Sequence, residues 1–127
     1  MNQLIKNSFV LLFILQLTAC DSQQKATISK LDKDAFSEAV IGKEVQLIDV
    51  RTLEEYEAGH IGNAINFDIF DGDNFLKQIS TLDKDEPVYL YCKMGGRSNR
   101  AAEILKTEGF TKIYDYSGGY NDWSTNQ

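Results

Sequence analysis

One segment that passes from strand to loop to helix constrains the fold of this chain more than any other feature. The apolar run Val88–Tyr91 is typical of a buried β-strand, and a short loop, Cys92–Gly96, follows it. A helix is predicted from about Arg97 to Glu108, because apolar residues recur there at helical spacing. A strand that enters a helix through a short loop indicates an α/β fold, with the loop at the carboxyl end of the strand.

The other segments alternate between strands and helices in the same way. Further strands are predicted at Thr27–Ser29, at Val45–Val50, after the turn at 59–66 and at Lys112–Tyr116. Further helices are predicted at Asp34–Ile41, from Thr52 to Gly59 and around Phe75–Ile79, and a C-terminal turn holds Tyr120 and Trp123. This alternation predicts a central, mostly parallel sheet of about five strands with helices on both faces, which binds ligands beyond the carboxyl ends of its strands.

Cys92 lies between the end of a predicted strand and the start of a predicted helix. The unpaired N–H groups and partial positive charge of a helix N-terminus favour a thiolate at such a position. Gly95 and Gly96 allow backbone angles that turn successive N–H groups inward as an anion nest, and the planar cation of Arg97 would close that nest. The alternative is a buried structural cysteine before an ordinary glycine-rich turn.

The N-terminal segment differs in composition from the rest of the chain. Lys6 is the only charged residue before Asp21, and the wholly apolar run Phe9–Leu15 is typical of a secretory signal peptide because it is too short to span a bilayer. The sequence 17–20, Leu-Thr-Ala-Cys, resembles the lipobox of bacterial lipoproteins, in which cleavage precedes a cysteine that is then lipidated. A signal peptide cleaved to release a soluble protein is the alternative.

These features divide the chain into a lipoprotein signal peptide (1–19), a lipidated Cys20 with a flexible tether (20–26) and a folded domain (27–127). Asp21 resembles the inner-membrane retention signal of some Gram-negative lipoproteins, which predicts a lipid-anchored protein of the cell envelope on the periplasmic face of the inner membrane. The mature chain would carry 12 basic and 19 acidic side chains, a net charge of −7, which argues against nucleic acid and anionic lipid surfaces as partners. Membrane attachment would then depend on acyl chains.

The chain has two cysteines, so lipidation of Cys20 leaves Cys92 as a single thiol. A single thiol forms no intramolecular disulfide and lacks the resolving partner that dithiol redox chemistry needs. Because free thiols are unusual in oxidising compartments, this pattern favours a working nucleophile at Cys92.

The loop pattern Cys92-x-x-Gly95-x-Arg97-Ser98 resembles the active-site loop of the rhodanese-like sulfurtransferases. Two further stretches match motifs of that family in the right order, 47–61 (Leu-Ile-Asp-Val-Arg, Glu-Tyr and Gly-His-Ile) and 118–123 (Gly-Gly-Tyr and Trp). The resemblance covers roughly Leu31 to Trp123 and implies a single rhodanese-like domain.

The resemblance implies a catalytic role for Cys92 in a site without a metal or an organic cofactor. The residues expected to bind substrate are Lys93, Met94, Gly95, Gly96, Arg97 and Ser98. Asp49 and Arg51 are expected to form a structural pair, and His60, the only histidine, is expected to have a structural hydrogen-bonding role because the chain offers it no second metal ligand.

The predicted reaction is the transfer of sulfane sulfur from thiosulfate or a persulfide, through a persulfide on Cys92, to a thiol or cyanide. Small sulfur-containing anions are the predicted substrates, and the acceptor thiol could belong to a protein. Two alternatives belong to other functional classes. A cysteine-dependent phosphatase or arsenate reductase also joins a cysteine to an arginine, but with five intervening residues where this loop has four. The other is a noncatalytic binding module, and the presence of Cys92 counts against it.

Overall fold

The computed structural model describes residues 24–125. The predicted signal peptide, Cys20 and the first part of the tether lie outside the described residues. The structure therefore does not test the predictions made for them.

Five strands in the described part form one sheet in the order β1-β5-β4-β2-β3. Their bounds are β1 Thr27–Leu31, β2 Gln46–Asp49, β3 Ile65–Asn66, β4 Val88–Tyr91 and β5 Lys112–Tyr116. Each neighbouring pair is parallel, and β4 lies at the centre between β5 and β2. This arrangement confirms the predicted α/β fold, and within residues 24–125 the sheet is wholly rather than mostly parallel.

Five helices connect or follow these strands in residues 24–125. They are α1 Lys33–Val40, α2 Leu53–Ala58, α3 Gly72–Ile79, α4 Gly96–Thr107 and α5 Gly119–Thr125. The start of α2 is fixed by a capping box, in which Thr52 accepts from the backbone N–H of Glu55 and the Glu55 carboxylate accepts from the backbone N–H of Thr52. None of the helices in this range is long and apolar enough to cross a membrane.

The sheet separates two apolar clusters, one on each face. The first cluster packs the inner residues of α3 and α4 against β2, β4 and β5 and includes Phe75, Ala101, Leu105, Leu90 and Cys92. The second packs α1 and α5 against the opposite face and includes Phe36, Val40, Tyr91 and Tyr116. Because both faces are covered, the central strands are almost continuously apolar.

The C-terminal segment differs from the sequence prediction. It was predicted as a turn, and it forms the short helix α5. The backbone N–H groups of Tyr120 and Asn121 donate to the carbonyl oxygens of Cys92 and Lys93, and the ring of Trp123 packs edge-on against Tyr116. Because these contacts are long-range, the periodicity of so short a segment gives no indication of them.

Candidate active site

Cys92 follows the last residue of β4, at the carboxyl edge of the sheet, and its side chain is only 1% exposed. Its Sγ accepts a hydrogen bond from the backbone N–H of Gly95 at 3.0 Å and lies 3.6 Å from Ser98 Oγ. A backbone N–H and a hydroxyl therefore face the sulfur from the loop and the first turn of α4. The N–H of Gly95 stabilises negative charge on this atom, whereas the Ser98 hydroxyl accepts from the thiol and donates to the carbonyl oxygen of Gly95 at 3.2 Å.

The two loop glycines have different roles. Gly95 has a φ of 99°, and a Cβ at this position would lie 2.5 Å from the carbonyl oxygen of Ser117. Gly96 is the first residue of α4 and has open space where a Cβ would stand. The backbone conformation that turns the N–H of residue 95 toward the sulfur therefore requires glycine at that position. The sequence predicts that both glycines form the anion nest, but position 96 has room for a side chain.

The N-terminus of α5 is hydrogen-bonded to the backbone of the loop that carries Cys92. The N–H of Tyr120 donates to the carbonyl oxygen of Cys92 at 2.7 Å, and the N–H of Asn121 donates to that of Lys93 at 3.0 Å. Gly119 permits this contact, because a Cβ there would lie 2.5 Å from Lys93 O and 2.7 Å from Cys92 O. These hydrogen bonds fix the backbone on which the thiol is carried.

Arg97 lies beside the loop, but its guanidinium is engaged elsewhere. The sequence predicts that Arg97 closes the anion nest; in the structure Nη1 and Nη2 donate to the two carboxylate oxygens of Glu55 at 2.6 and 2.9 Å. The guanidinium also lies over the ring of Phe70, 5.4 Å from its centroid. Arg97 thus ties α4 to α2, and an anionic substrate would compete with Glu55 for its donors. Substrate binding by Arg97 stays a prediction.

The ion pair predicts a measurable pH dependence of stability. The hydrogen bond from Arg97 lowers the pKa of Glu55 from 4.5 to about 2. The pair therefore stabilises the fold above pH 4.5, and this contribution is lost as the pH falls toward 2. Because both side chains are partly exposed, we expect Glu55→Gln to lower the free energy of unfolding by about 1 kcal/mol at pH 7 and to match wild type near pH 2.

Urea unfolding of both proteins at several pH values measures this difference. Glu57→Gln is the matched control, since Glu57 is exposed on the same helix and forms no ion pair with any residue in 24–125. A difference between Glu55→Gln and wild type that stays constant from pH 7 to pH 2 would contradict the prediction.

Asp49 and Arg51 form a buried ion pair at the carboxyl end of β2. Arg51 Nη2 lies 2.6 Å from Asp49 Oδ2 and also donates to the carbonyl oxygen of Gly59. The guanidinium lies between the rings of Tyr91 and Tyr120, 5.6 and 4.3 Å from their centroids. The pair therefore connects β2, β4, α5 and the turn after α2.

His60 is exposed in the turn after α2, next to Gly59. Its Nδ1 lies 3.2 Å from the carbonyl oxygen of Tyr56, and its ring stacks on that of Tyr56 at 4.1 Å. Within residues 24–125 no cluster of three or more possible metal ligands includes it or any other residue.

The outer rim of the loop combines a cation with exposed apolar side chains. Lys93 is exposed, Met94 is 72% exposed, and Phe70 beside Arg97 is 66% exposed. Gly96 is also exposed, whereas Ser98 is buried beneath the loop. Of the predicted substrate-binding residues, the structure thus places Ser98 and Gly95 at the sulfur, with Lys93, Met94 and Gly96 on the surface around it.

The contacts of the site that join distant segments have no local signal in the sequence. Glu55 belongs to the capping box of α2, and it also binds Arg97 from 42 positions away. Tyr120 and Phe70 contact Arg51 and Arg97 through the fold alone. Asp115 lies in β5 among residues expected to be buried, and a buried acid in an apolar strand is the one signal that could have drawn attention to it.

Comparison with known proteins places this geometry in a family. Residues 32–126 match the model of the rhodanese-like domain. The chain is 37% identical to the uncharacterized protein YqhL of Bacillus subtilis over 111 residues, covering 87% of this chain and 84% of that protein. It is 33% identical to the thiosulfate sulfurtransferase GlpE of Shewanella oneidensis over 81 residues, covering 64% of this chain and 77% of that protein.

A solved structure shows the same architecture. The fold matches the rhodanese-like domain protein from Staphylococcus aureus with a TM-score of 0.66 and 28% sequence identity, covering 77% of this chain and 93% of that chain. The similarity extends over nearly the whole of that chain.

Proposed function

Because this chain belongs to the family of rhodanese-like domains, we propose that it is a sulfurtransferase that carries sulfane sulfur as a persulfide on Cys92. Its relatives include a thiosulfate sulfurtransferase, which supports thiosulfate as the donor. A persulfide, which carries the same kind of sulfane sulfur, is the other donor that we propose. The observation that carries the proposal is the Gly95 N–H directed at Cys92 Sγ at 3.0 Å, at the carboxyl end of the central strand.

In the first step the Cys92 thiolate attacks the outer sulfur of thiosulfate. A new S–S bond forms to Cys92, the S–S bond of the donor breaks, and sulfite leaves with the electron pair. The N–H of Gly95 stabilises negative charge at the sulfur, and the exposed Lys93 attracts the anionic donor. Once the thiol has lost its proton, the Ser98 hydroxyl can turn from the carbonyl oxygen of Gly95 to donate to the sulfur. Arg97, while bound to Glu55, supports the first turn of α4.

In the second step an acceptor thiolate or cyanide attacks the terminal sulfur of the persulfide. The bond between the two sulfurs breaks, the thiolate of Cys92 is restored, and the acceptor leaves as a persulfide or as thiocyanate. The two half-reactions predict ping-pong kinetics and use no group beyond those of the chain and its substrates.

The decisive experiment exposes the protein first to thiosulfate and then to cyanide. We expect intact mass spectrometry to show the addition of one sulfur atom to Cys92, and cyanide to remove it as thiocyanate. A parallel assay with aryl phosphates tests the phosphatase alternative, since a loop with four residues between Cys92 and Arg97 gives less room for a tetrahedral oxyanion than one with five. Phosphate hydrolysis through Cys92, with no persulfide from any sulfane donor, would overturn the assignment.

We also propose that Cys20 is lipidated and holds the domain at the periplasmic face of the inner membrane. The lipobox-like sequence 17–20 and the apolar run before it support this proposal. We expect the wild-type protein to partition into the detergent phase and to carry an acyl mass on its N-terminal peptide, and Cys20→Ala to lose both properties. Identical partitioning of the two proteins, with no acyl mass on wild type, would exclude the anchor.

A further inference from the structure

Glu55 has more partners than an ordinary surface acid. Its carboxylate oxygens accept from Nη1 and Nη2 of Arg97 at 2.6 and 2.9 Å. Its Oε1 also accepts from the hydroxyl of Thr52 at 3.1 Å, and the backbone N–H of Glu55 donates to that hydroxyl oxygen within the capping box of α2. The Glu55 side chain is therefore fixed by two residues, and it occupies both terminal nitrogens of Arg97.

Arg97 lies where its guanidinium would be expected to bind an anion at the reactive sulfur. It stands in the chain between Gly95, whose N–H is 3.0 Å from Cys92 Sγ, and Ser98, whose Oγ is 3.6 Å from it. A guanidinium is a planar, permanently charged donor that matches the oxygen atoms of an anion. Because Glu55 neutralises the charge of Arg97 and accepts from both terminal nitrogens, an incoming anion gains little from this cation.

Three other cations lie near the loop, but only Lys93 lines the cleft beside it without an ion pair among residues 24–125. Arg51 is paired with Asp49, and Arg100 lines a different groove, between α3 and α4. The cleft that Lys93 lines has a volume of about 240 Å³ and is also lined by Glu55. An anion there meets a carboxylate as well as an ammonium, so a doubly charged donor is attracted less than Lys93 alone would attract it.

We propose that Glu55 is a specificity-determining residue that, by holding both terminal nitrogens of Arg97, directs the site toward uncharged hydropersulfides of organic thiols and makes dianionic thiosulfate the poorer donor. The inference rests on the proposed sulfur transfer. The Cys92 thiolate attacks the outer sulfur of the hydropersulfide, an S–S bond to Cys92 forms, and the S–S bond of the donor breaks. The organic thiolate leaves with the electron pair, and the proton remains on the transferred sulfur.

Two alkylating agents of nearly the same size measure this effect without a sulfur donor. Iodoacetate carries a carboxylate and iodoacetamide does not, and both alkylate the same thiolate of Cys92. The ratio of their rates therefore reports how well the site accepts an anion, whatever fraction of the thiol is ionised. Since glutamine keeps the capping box but has no charge, we expect Glu55→Gln to raise this ratio about threefold to tenfold.

Glu57→Gln and Arg97→Gln provide the controls. Glu57 is exposed on α2 and forms no ion pair among residues 24–125, so its substitution removes the same charge and should leave the ratio within about twofold of wild type. In an Arg97→Gln background, Glu55→Gln should lose most of its effect, because the donors that it releases are gone. Urea unfolding establishes that each variant is folded at the assay pH.

Steady-state kinetics with both donors extend the test to sulfur transfer. We expect Glu55→Gln to lower KM for thiosulfate about threefold to tenfold and to change kcat/KM for the hydropersulfide of mercaptoethanol by less than about twofold. A lower or unchanged alkylation ratio in Glu55→Gln would overturn the proposal, and so would a rise of equal size in Glu57→Gln or in the Arg97→Gln background. Absence of a persulfide on wild type from either donor would instead overturn the proposed sulfur transfer, and the alkylation ratio would still decide the part played by Glu55.

Discussion

Cys92→Ser is expected to abolish sulfur transfer, with a loss of more than about a thousandfold in kcat/KM for thiosulfate. Serine retains an acceptor for the Gly95 N–H that now lies 3.0 Å from Sγ, so the loop should keep its shape. Its hydroxyl is not ionised near neutral pH and forms no persulfide. The measurement is thiocyanate production from thiosulfate and cyanide, beside urea unfolding of the variant.

Wild-type protein blocked at Cys92 by iodoacetamide provides the control for this experiment. It keeps every other side chain and should be as inactive as the serine variant. Transfer that persists in either protein would mean that the sulfur passes through another group, and Cys92 would then lose its assigned role.

Gly119→Ala is expected to have the largest effect on the fold among single methyl additions to the site. Gly119 has a φ of 68°, where a side chain costs about 1–2 kcal/mol. The added Cβ would also overlap the carbonyl oxygens of Cys92 and Lys93 and force α5 from the loop. Loss of the two hydrogen bonds from Tyr120 and Asn121 adds about 1 kcal/mol each, so we expect a total loss of about 3–4 kcal/mol and a fall of at least about tenfold in transfer.

Gly42→Ala is the matched control for this prediction. Gly42 has nearly the same φ, 71°, but a Cβ there meets no atom within 4 Å, and the residue lies at the end of α1, away from the loop. We expect it to lose only the backbone contribution of about 1–2 kcal/mol and to transfer sulfur normally. Equal losses of stability and activity in the two variants would show that contact with the loop carbonyls is not what requires Gly119.

Local patterns in the sequence were sufficient to predict most of the sheet and the position of the thiol. The apolar run Val88–Tyr91 and the helical spacing after Arg97 each arise within one segment, and both agree with β4 and α4. The start of α2 near Thr52 was likewise predicted, and it is a local feature because its capping box joins Thr52 to Glu55, three positions away.

The remainder depends on contacts between distant segments. The Arg97 guanidinium is suited to bind an anion, but the fold places the Glu55 carboxylate against its N–H donors. Glu55 also has a local function in the capping box of α2. The first N–H groups of α5 donate to the carbonyl oxygens of Cys92 and Lys93. The residue pattern of this seven-residue segment could not indicate these contacts with a distant loop.

The parallel sheet also sets the direction in which the reactive loop faces. β1 and β4 run in the same direction, so Thr27, at the amino end of β1, and Cys92, just after the carboxyl end of β4, lie at opposite ends of the strands. An anchor at Cys20 would therefore hold the domain by the far end of the sheet, about the length of a five-residue strand, or roughly 17 Å, from the thiol. Donors and acceptors would reach the loop from the aqueous phase, and a protein acceptor would need no contact with the bilayer to receive sulfur.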